Sequence, residues 1–289
     1  MSDPLFHVDG ELVPAREASV NVRDRGFMYG DAAFETLRAY GGALFEWTAH
    51  ADRLRRSCET LGFADAVPPA ENLRERVRET LDANDFADAY VKLSVTRGVQ
   101  PGKLTPGTDV DPTIVVFVSE LPRGGVEGTQ VWDGPATLRT VETRRAPDGA
   151  LPAEAKTHNY LNGILARLEL RETDADEAVM LDTDGHLTEG ATSNLFFVRD
   201  GRLQTPTADL PLLPGVTRDV VLELASDAEI PVERGFYGLA ALARASEVFV
   251  TNSTWEIRPV TTVGDREYEV GPVTERVQRR FDERVEQFY

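Results

Sequence analysis

Lysine is almost missing from this chain. Only Lys92, Lys103 and Lys156 occur among 289 residues, so arginine makes up nearly all of the 31 basic side chains, set against 49 acidic ones. The formal net charge of −18 excludes a broad nucleic-acid or anionic-membrane surface, which would need a basic stripe. A single cysteine excludes an internal disulfide framework, and its place in the helical spacing Leu54, Cys58, Leu61 marks Cys58 as core. The four histidines, His7, His50, His158 and His186, show no paired metal spacing, so no metal site is expected. No apolar run approaches the length of a membrane span, and Met1-Ser2-Asp3-Pro4 lacks the basic and apolar regions of a signal peptide. The expected location is the cytoplasm. An acidic surplus with so few lysines is also what a halophilic protein looks like, since carboxylates hold water and ions while lysine stems add apolar area.

The scarcity makes the remaining lysines informative. Lys92 sits in a strand pattern and Lys103 in a loop, whereas Lys156 opens Lys156-Thr157-His158-Asn159-Tyr160-Leu161, ahead of an apolar helical pattern through Leu161, Ile164, Leu165, Leu168 and Leu170. Arginine keeps its proton near neutral pH. A shielded lysine can lose it and serve as nucleophile, Schiff-base partner or proton shuttle.

The composition, 41% apolar and 28% charged, is that of a globular chain long enough for two cores. Phe6 to Val13 reads as a hairpin about Asp9-Gly10, followed by a turn-rich stretch at Asp24–Asp31 and a meander through Ala33–Arg38 and Leu44–Trp47. Helical spacing begins at His50, and a second helix follows Pro68-Pro69. Strands at Tyr90–Thr96 and Thr113–Val118 complete an α+β order. The best linker is 121–128, which separates a small N-terminal α+β domain, 1–120, from a larger cofactor-binding domain, 129–289. In the latter we expect a strand from Gln130, a helix from Lys156 to Arg171, strands at 178–181 and 194–198, a helix opened by Leu213-Pro214-Gly215-Val216-Thr217, a strand at 247–251 and a closing amphipathic helix.

Three parts of a pyridoxal phosphate site can be read in physical terms. Lys156 supplies the Schiff-base nitrogen. Glu189, at a hairpin shoulder, places a carboxylate on the ring nitrogen and makes the ring an electron sink. Pro214 to Thr217 starts a helix whose free N–H groups suit a phosphate, with Arg53 as a fork-shaped countercharge. Asp182-Thr183-Asp184-Gly185 lacks the ligands and spacing of a calcium loop and reads as a turn. Gly98 to Lys103 lacks the hydroxyl and glycine spacing of a phosphate loop.

These pieces, with Arg25 to Asp31, Phe34-Glu35-Thr36, His50 to Leu54, Ser193-Asn194, Thr251-Asn252-Ser253 and Pro259-Val260, resemble the class IV aminotransferases over nearly the whole chain. The resemblance implies a two-domain fold type IV pyridoxal phosphate enzyme, of the D-amino-acid and branched-chain aminotransferase fold. It implies Lys156 as Schiff base and proton shuttle, Tyr160 on the phenolic oxygen and Glu189 on the ring nitrogen. Phosphate would be held by Arg53, by the backbone of Val216 and Thr217, and by Asn252-Ser253, where Ser253 replaces a commoner threonine. It further implies a homodimer, with a site between the two domains and a small-molecule amino substrate. Tyr90-Val91-Lys92-Leu93 departs from the Tyr-x-Arg-Pro of branched-chain enzymes, and Thr36 stands where those have glycine. Phe34 and Thr36 resemble instead the aminodeoxychorismate lyases of folate synthesis. In that reading Thr36 protonates the departing pyruvyl group and Arg97 holds a substrate carboxylate. The alternatives are a branched-chain or D-amino-acid transaminase using 2-oxoglutarate, and a catalytically silent cofactor-binding protein.

Overall fold

The computed structural model describes residues 3–123 and 131–289. The chain divides into two compact units, one of Met1–Val131, Ala155–Asn159 and Phe288–Tyr289, the other of Trp132–Glu154 and Tyr160–Gln287. The sequence reading placed a single boundary at 121–128; two short later segments belong to the first unit, and residues 124–128 lie outside the described ones.

In the first unit β1 (Leu5–Val8) and β2 (Glu11–Pro14) form a hairpin. Asp9 and Gly10 both take positive φ at its turn. The turn-rich stretch closes into a short helix, α1 (Arg25–Tyr29), capped by the Asp24 carboxylate on Gly26 N–H. Then follow β3 (Ala32–Tyr40), β4 (Ala43–Leu44), α2 (Trp47–Thr60), α3 (Ala70–Asn84), β5 (Ala89–Thr96) and β6 (Ile114–Glu120). The meander's return strand is shorter than expected because Glu46 adopts left-handed backbone and Trp47 already starts α2. The six strands form one antiparallel sheet in the order β2-β1-β6-β5-β3-β4.

Alternation decides what each face of that sheet does. Ala33, Leu37, Val91, Leu93, Val95, Val116 and Val118 point toward α2 and α3, where Leu54, Cys58, Leu73, Val77 and Leu81 complete a core. Burial pushes the Cys58 thiol up to about 12, so it packs as an inert apolar group. Phe34, Thr36, Lys92 and Ser94 occupy the intervening positions, with Phe34 opposite Ser94 and Thr36 opposite Lys92. They therefore line the other face. Ala155–Asn159 runs along β3, with a bridge from Ala33 to Thr157. Phe34 N–H donates to the Lys156 carbonyl, and His158 N–H to that of Ala32.

The second unit contains β7 (Ala136–Thr140), α4 (Leu161–Leu168), β8 (Glu177–Val179), β9 (Asn194–Arg199), β10 (Arg202–Pro206) and α5 (Val216–Asp227). β11 (Val232–Gly235), α6 (Leu239–Leu242), β12 (Glu247–Asn252), β13 (Glu256–Val263), β14 (Arg266–Glu267) and α7 (Pro272–Val285) follow. Its mixed sheet runs β11-β10-β9-β12-β13-β7-β8, with β14 paired to β13. Leu195, Phe197, Val248 and Val250 build one core. Phe196 stacks on Phe249 at 5.0 Å, and alternation assigns that pair to the opposite face. The strand expected from Gln130 begins outside the described residues; the first one seen is β7.

The helix expected from Lys156 to Arg171 is only α4, and Lys156 lies in extended chain before it. Leu161, Ile164, Leu165 and Leu168, the apolar stripe of the sequence, are exposed. The helix instead turns small residues inward. Ala166 is fully buried, and a Cβ on Gly163 would come within 3.1 Å of the Ala191 carbonyl. Close approach selected the buried side of α4, and Leu170, the last residue of the apolar pattern, is buried just beyond its end.

Candidate active site

On the open face of the first unit's sheet, Phe34 is the centre of a basic cluster. Lys156 Nζ lies 4.3 Å from its ring centroid and Lys92 Nζ 4.8 Å, while the His158 ring meets it edge-on at 5.5 Å. Both amines thus share one aromatic surface. Burial, and then the charge of Lys156, lowers the Lys92 pKa. Lys92 makes no ion pair with an acidic side chain among the described residues. His158 Nε2 is 3.1 Å from Ser94 Oγ, and burial followed by the Lys92 charge depresses its pKa to about 4. That ring is neutral at working pH. Thr36 is hydrogen-bonded to the Tyr90 hydroxyl, whose pKa burial raises.

The opposite side of β3 carries a closed charge network. Glu35 Oε1 and Oε2 accept from Arg53 Nε at 2.8 Å and Nη2 at 2.6 Å, and Oε2 is 2.7 Å from His50 Nδ1. Burial would raise the Glu35 pKa, but the Arg53 charge and these hydrogen bonds hold it at about 2. Burial lowers that of His50. One turn further along α2, Ser57 Oγ accepts the Lys156 backbone N–H at 2.9 Å, so the helix that presents Arg53 also pins the lysine's backbone.

Arg97 is engaged elsewhere. It donates to both Asp31 oxygens, at 2.7 and 3.1 Å, and to the Leu61 carbonyl, and it stacks on Phe63. Arg25 shares Asp31 at 2.7 Å. This is the geometry of a structural ion pair: the guanidinium expected to hold a substrate carboxylate is committed here to the Asp31 carboxylate and the Leu61 carbonyl.

In the second unit Glu189 ends the ladder that joins residue 180 to residues 188 and 189. Its Oε1 is 2.8 Å from Arg145 Nε, and its Oε2 accepts from Leu213 N–H at 3.0 Å and Asn194 Nδ2 at 3.4 Å. Asn194 Nδ2 also donates to the Leu213 carbonyl at 2.9 Å, tying the carboxylate to the segment that enters α5. Gly215, the N-cap of α5, provides no side-chain cap, so the helix start keeps its N–H groups for another acceptor. A Cβ on Gly215 would fall 2.0 Å from Asn194 Oδ1, which explains the glycine. Val216 and Thr217 are the first helical residues and both are buried. Tyr160 is the residue before α4.

The Asn252 side chain is taken up by its own turn, accepting from Thr254 and Trp255 N–H at 3.0 and 2.7 Å and donating to the Thr192 carbonyl at 3.3 Å. Ser253 lies within that turn. Just before it, Thr251 Oγ1 is buried without a hydrogen-bond partner among the described residues. Asp182, Asp184 and His186 have ligand atoms close together. Asp182, however, already accepts from the N–H groups of Asp184 and His186, at 2.9 and 2.8 Å, and from the His186 ring at 3.0 Å. That arrangement is a hairpin turn.

Lys92, His158, Arg145 and Thr251 have no site role in the sequence analysis. Lys92 carried a signal in the rarity of lysine, but its alternation placed it on a strand without saying what lay opposite. Arg145 read as part of a turn, and nothing local linked it to Glu189. Each unit by itself holds groups of the chemistry that pyridoxal phosphate needs: in the first a rare lysine beside an aromatic ring, in the second a carboxylate paired with arginine, an uncapped helix start fronted by glycine, and an orphaned buried hydroxyl.

The family model for amino-transferase class IV matches residues 32–263. A putative branched-chain-amino-acid aminotransferase of Methanocaldococcus jannaschii is 37% identical over 96% of this chain and 94% of its own length. The aminodeoxychorismate lyase of Bacillus subtilis is 31% identical over 97% and 94%. Among solved structures, the branched-chain aminotransferase of Thermoproteus uzoniensis with norvaline superposes with a TM-score of 0.90 at 30% identity, covering 98% of this chain and 94% of that one. A second solved branched-chain enzyme, bound to pyridoxamine 5'-phosphate, gives 0.89 at 29% identity over 100% and 96%.

Proposed function

The chain belongs to the amino-transferase class IV family of pyridoxal phosphate-dependent enzymes, and we propose that it is a transaminase for amino acids with apolar, branched or linear side chains. The observation that carries this reading is the pair of lysines about Phe34. One amine holds the cofactor. The other, Lys92, has no acidic partner among the described residues and can receive the substrate carboxylate while the Phe34 ring lies along an apolar side chain. The relatives support the same direction, because branched-chain enzymes of Methanocaldococcus jannaschii and Salmonella typhimurium, at 37% and 33% identity, stand above the lyase at 31%. The lyase reading rests on Phe34, Thr36 and Thr251-Asn252, and the Thr36 hydroxyl is engaged with Tyr90.

When bound, pyridoxal phosphate supplies the electron sink that makes a proton beside the substrate nitrogen removable. Lys156 would hold the cofactor and would carry that proton. Glu189, held by Arg145, Asn194 and Leu213 N–H, would place its carboxylate on the ring nitrogen. Tyr160 would donate to the phenolic oxygen. The N–H groups of Val216 and Thr217 would hold the phosphate, with Ser253 and the Thr251 hydroxyl as further ligands, while Arg53, expected as its countercharge, is paired with Glu35. The Asn252 side chain holds its turn in shape rather than reaching outward.

The test is a panel of L- and D-amino acids with 2-oxoglutarate, run beside aminodeoxychorismate. Exchange with leucine, isoleucine, valine or norvaline that survives Thr36→Val within about threefold is expected, as for a hydroxyl outside the proton path. Release of pyruvate and 4-aminobenzoate, lost in Thr36→Val, would restore the lyase.

The exposed Leu161, Ile164, Leu165 and Leu168 support a homodimer in which a second copy covers them. A one-chain mass in light scattering would rule it out. The acid surplus supports adaptation to strong salt. A melting temperature that falls from dilute buffer to molar chloride would rule that out. Among the described residues no helix is long and apolar enough to cross a membrane.

A further inference from the structure

Glu177 is fully buried at the start of β8, and the roles proposed above leave it without one. Its Oε1 accepts from Ala178 N–H at 2.8 Å and Ala191 N–H at 3.1 Å. Its Oε2 accepts from Thr192 N–H at 3.0 Å, Thr192 Oγ1 at 2.5 Å and Ser193 Oγ at 3.3 Å. Arg167 Nη1 is 3.6 Å away. Four of the five donors belong to residues 191–193. The loop from Gly190 to Ser193 is therefore wrapped around one carboxylate, and it closes on itself through Gly190 N–H to the Ser193 carbonyl at 2.6 Å. Gly190 is required at this spot. A Cβ there would lie 2.5 Å from Ser193 Oγ and 3.0 Å from the Glu177 side chain.

What this loop connects gives the carboxylate its meaning. Glu189 precedes it. Asn194, which donates to Glu189 and to the Leu213 carbonyl, follows it. The Thr192 carbonyl accepts from Asn252, the residue that shapes the turn holding Ser253. One buried anion thus fixes the backbone from which the carboxylate at 189, its amide partner at 194 and the 252–253 turn are all set.

We infer that Glu177 is a positioning residue that acts through Glu189, fixing where the carboxylate at 189 meets the cofactor ring. The inference rests on the reading that Glu189 faces the ring nitrogen. A carboxylate suits the task because every group around it donates. An amide of the same shape offers one acceptor and turns two N–H groups toward donors, so Glu177→Gln leaves the loop volume intact while breaking its anchor.

The experiment is a double-mutant cycle on the holoenzyme and apoenzyme with Glu177→Gln, Glu189→Gln and the double variant. It reads pyridoxal phosphate affinity by fluorescence titration, the pH midpoint of the bound cofactor's absorption, and the melting temperature of both forms. Glu177→Gln should weaken cofactor binding by about tenfold, as for partners that orient a ligand, and move the pH midpoint in the same direction as Glu189→Gln. The double variant should be no worse than the poorer single variant within about twofold, the mark of two residues acting as one. Additive losses, or an unmoved pH midpoint with apo and holo melting temperatures falling equally, would overturn the inference and leave Glu177 a fold-stabilising anion. If Glu189→Gln alone moves neither affinity nor midpoint, the reading of Glu189 has failed instead. Should Glu177→Gln not fold, Thr192→Val removes one donor and should shift the midpoint by less in the same direction; no shift would count against the inference.

Discussion

The two faces of one strand, β3, differ in whether their charges are closed. Toward the helices, Glu35 is saturated by Arg53 and His50. On the other face, one residue to either side, Phe34 and Thr36 stand with Lys92, Ser94, His158 and Lys156, and no carboxylate among the described residues pairs with Lys92. Arginine serves the closed face and lysine the open one. The comparison teaches that in this unit a buried charge with its counter-charge is architecture, while Lys92, a cation held beside an aromatic ring without one, is available to a ligand.

The largest effect should come from removing the amine on the open face. Lys156→Ala should abolish turnover and borohydride trapping of the cofactor, read by mass spectrometry of tryptic peptides. Label on Lys92 or Lys103 would break the assignment. On the closed face, Glu35→Ala strands two buried basic groups and should cost about 3–5 kcal/mol in denaturant unfolding. A loss under about 1 kcal/mol, the range of an exposed pair, would mean that the network is not closed.

Lys92→Met keeps the stem over Phe34 and removes the charge. KM for amino and oxo acids should rise roughly 10- to 100-fold with kcat within a few-fold, as when ground-state and transition-state binding fall together. An unchanged KM would return Lys92 to a structural role.

A smaller effect should appear in acid. His158 is depressed from 6.5 to about 4, so the unfolded chain takes up its proton first, and stability contributed by the neutral ring is lost as pH falls from 6.5 toward 4. Glu35, depressed from 4.5 to about 2, contributes stability that is full above 4.5 and lost as pH falls toward 2. The melting temperature should therefore decline in two stages, and His158→Gln should flatten the upper one by about 1–3 kcal/mol. A single stage below pH 4.5 in the unmodified protein would contradict the neutral histidine.

The β3 contrast also shows what the sequence could carry. Phe34 and Thr36 were named through the family resemblance, and the rarity of lysine drew attention to Lys156. The helix start after Gly215 was visible because it depends on local chemistry. What stayed hidden depends on chain segments far apart in sequence. Arg97 reaches Asp31 and Leu61, Arg145 reaches Glu189, and the loop at 191–193 closes on Glu177. Which side of α4 is buried was hidden for a related reason, since it is set by close backbone packing at Gly163 and Ala166.

The central claim, that this protein is a transaminase, is tested most directly by a half-reaction without acceptor. Holoenzyme mixed with excess L-leucine should convert its cofactor to pyridoxamine 5'-phosphate and release one equivalent of the branched oxo acid per site. A cofactor that stays in the pyridoxal form with every apolar amino acid, while aminodeoxychorismate yields pyruvate and 4-aminobenzoate, would contradict it.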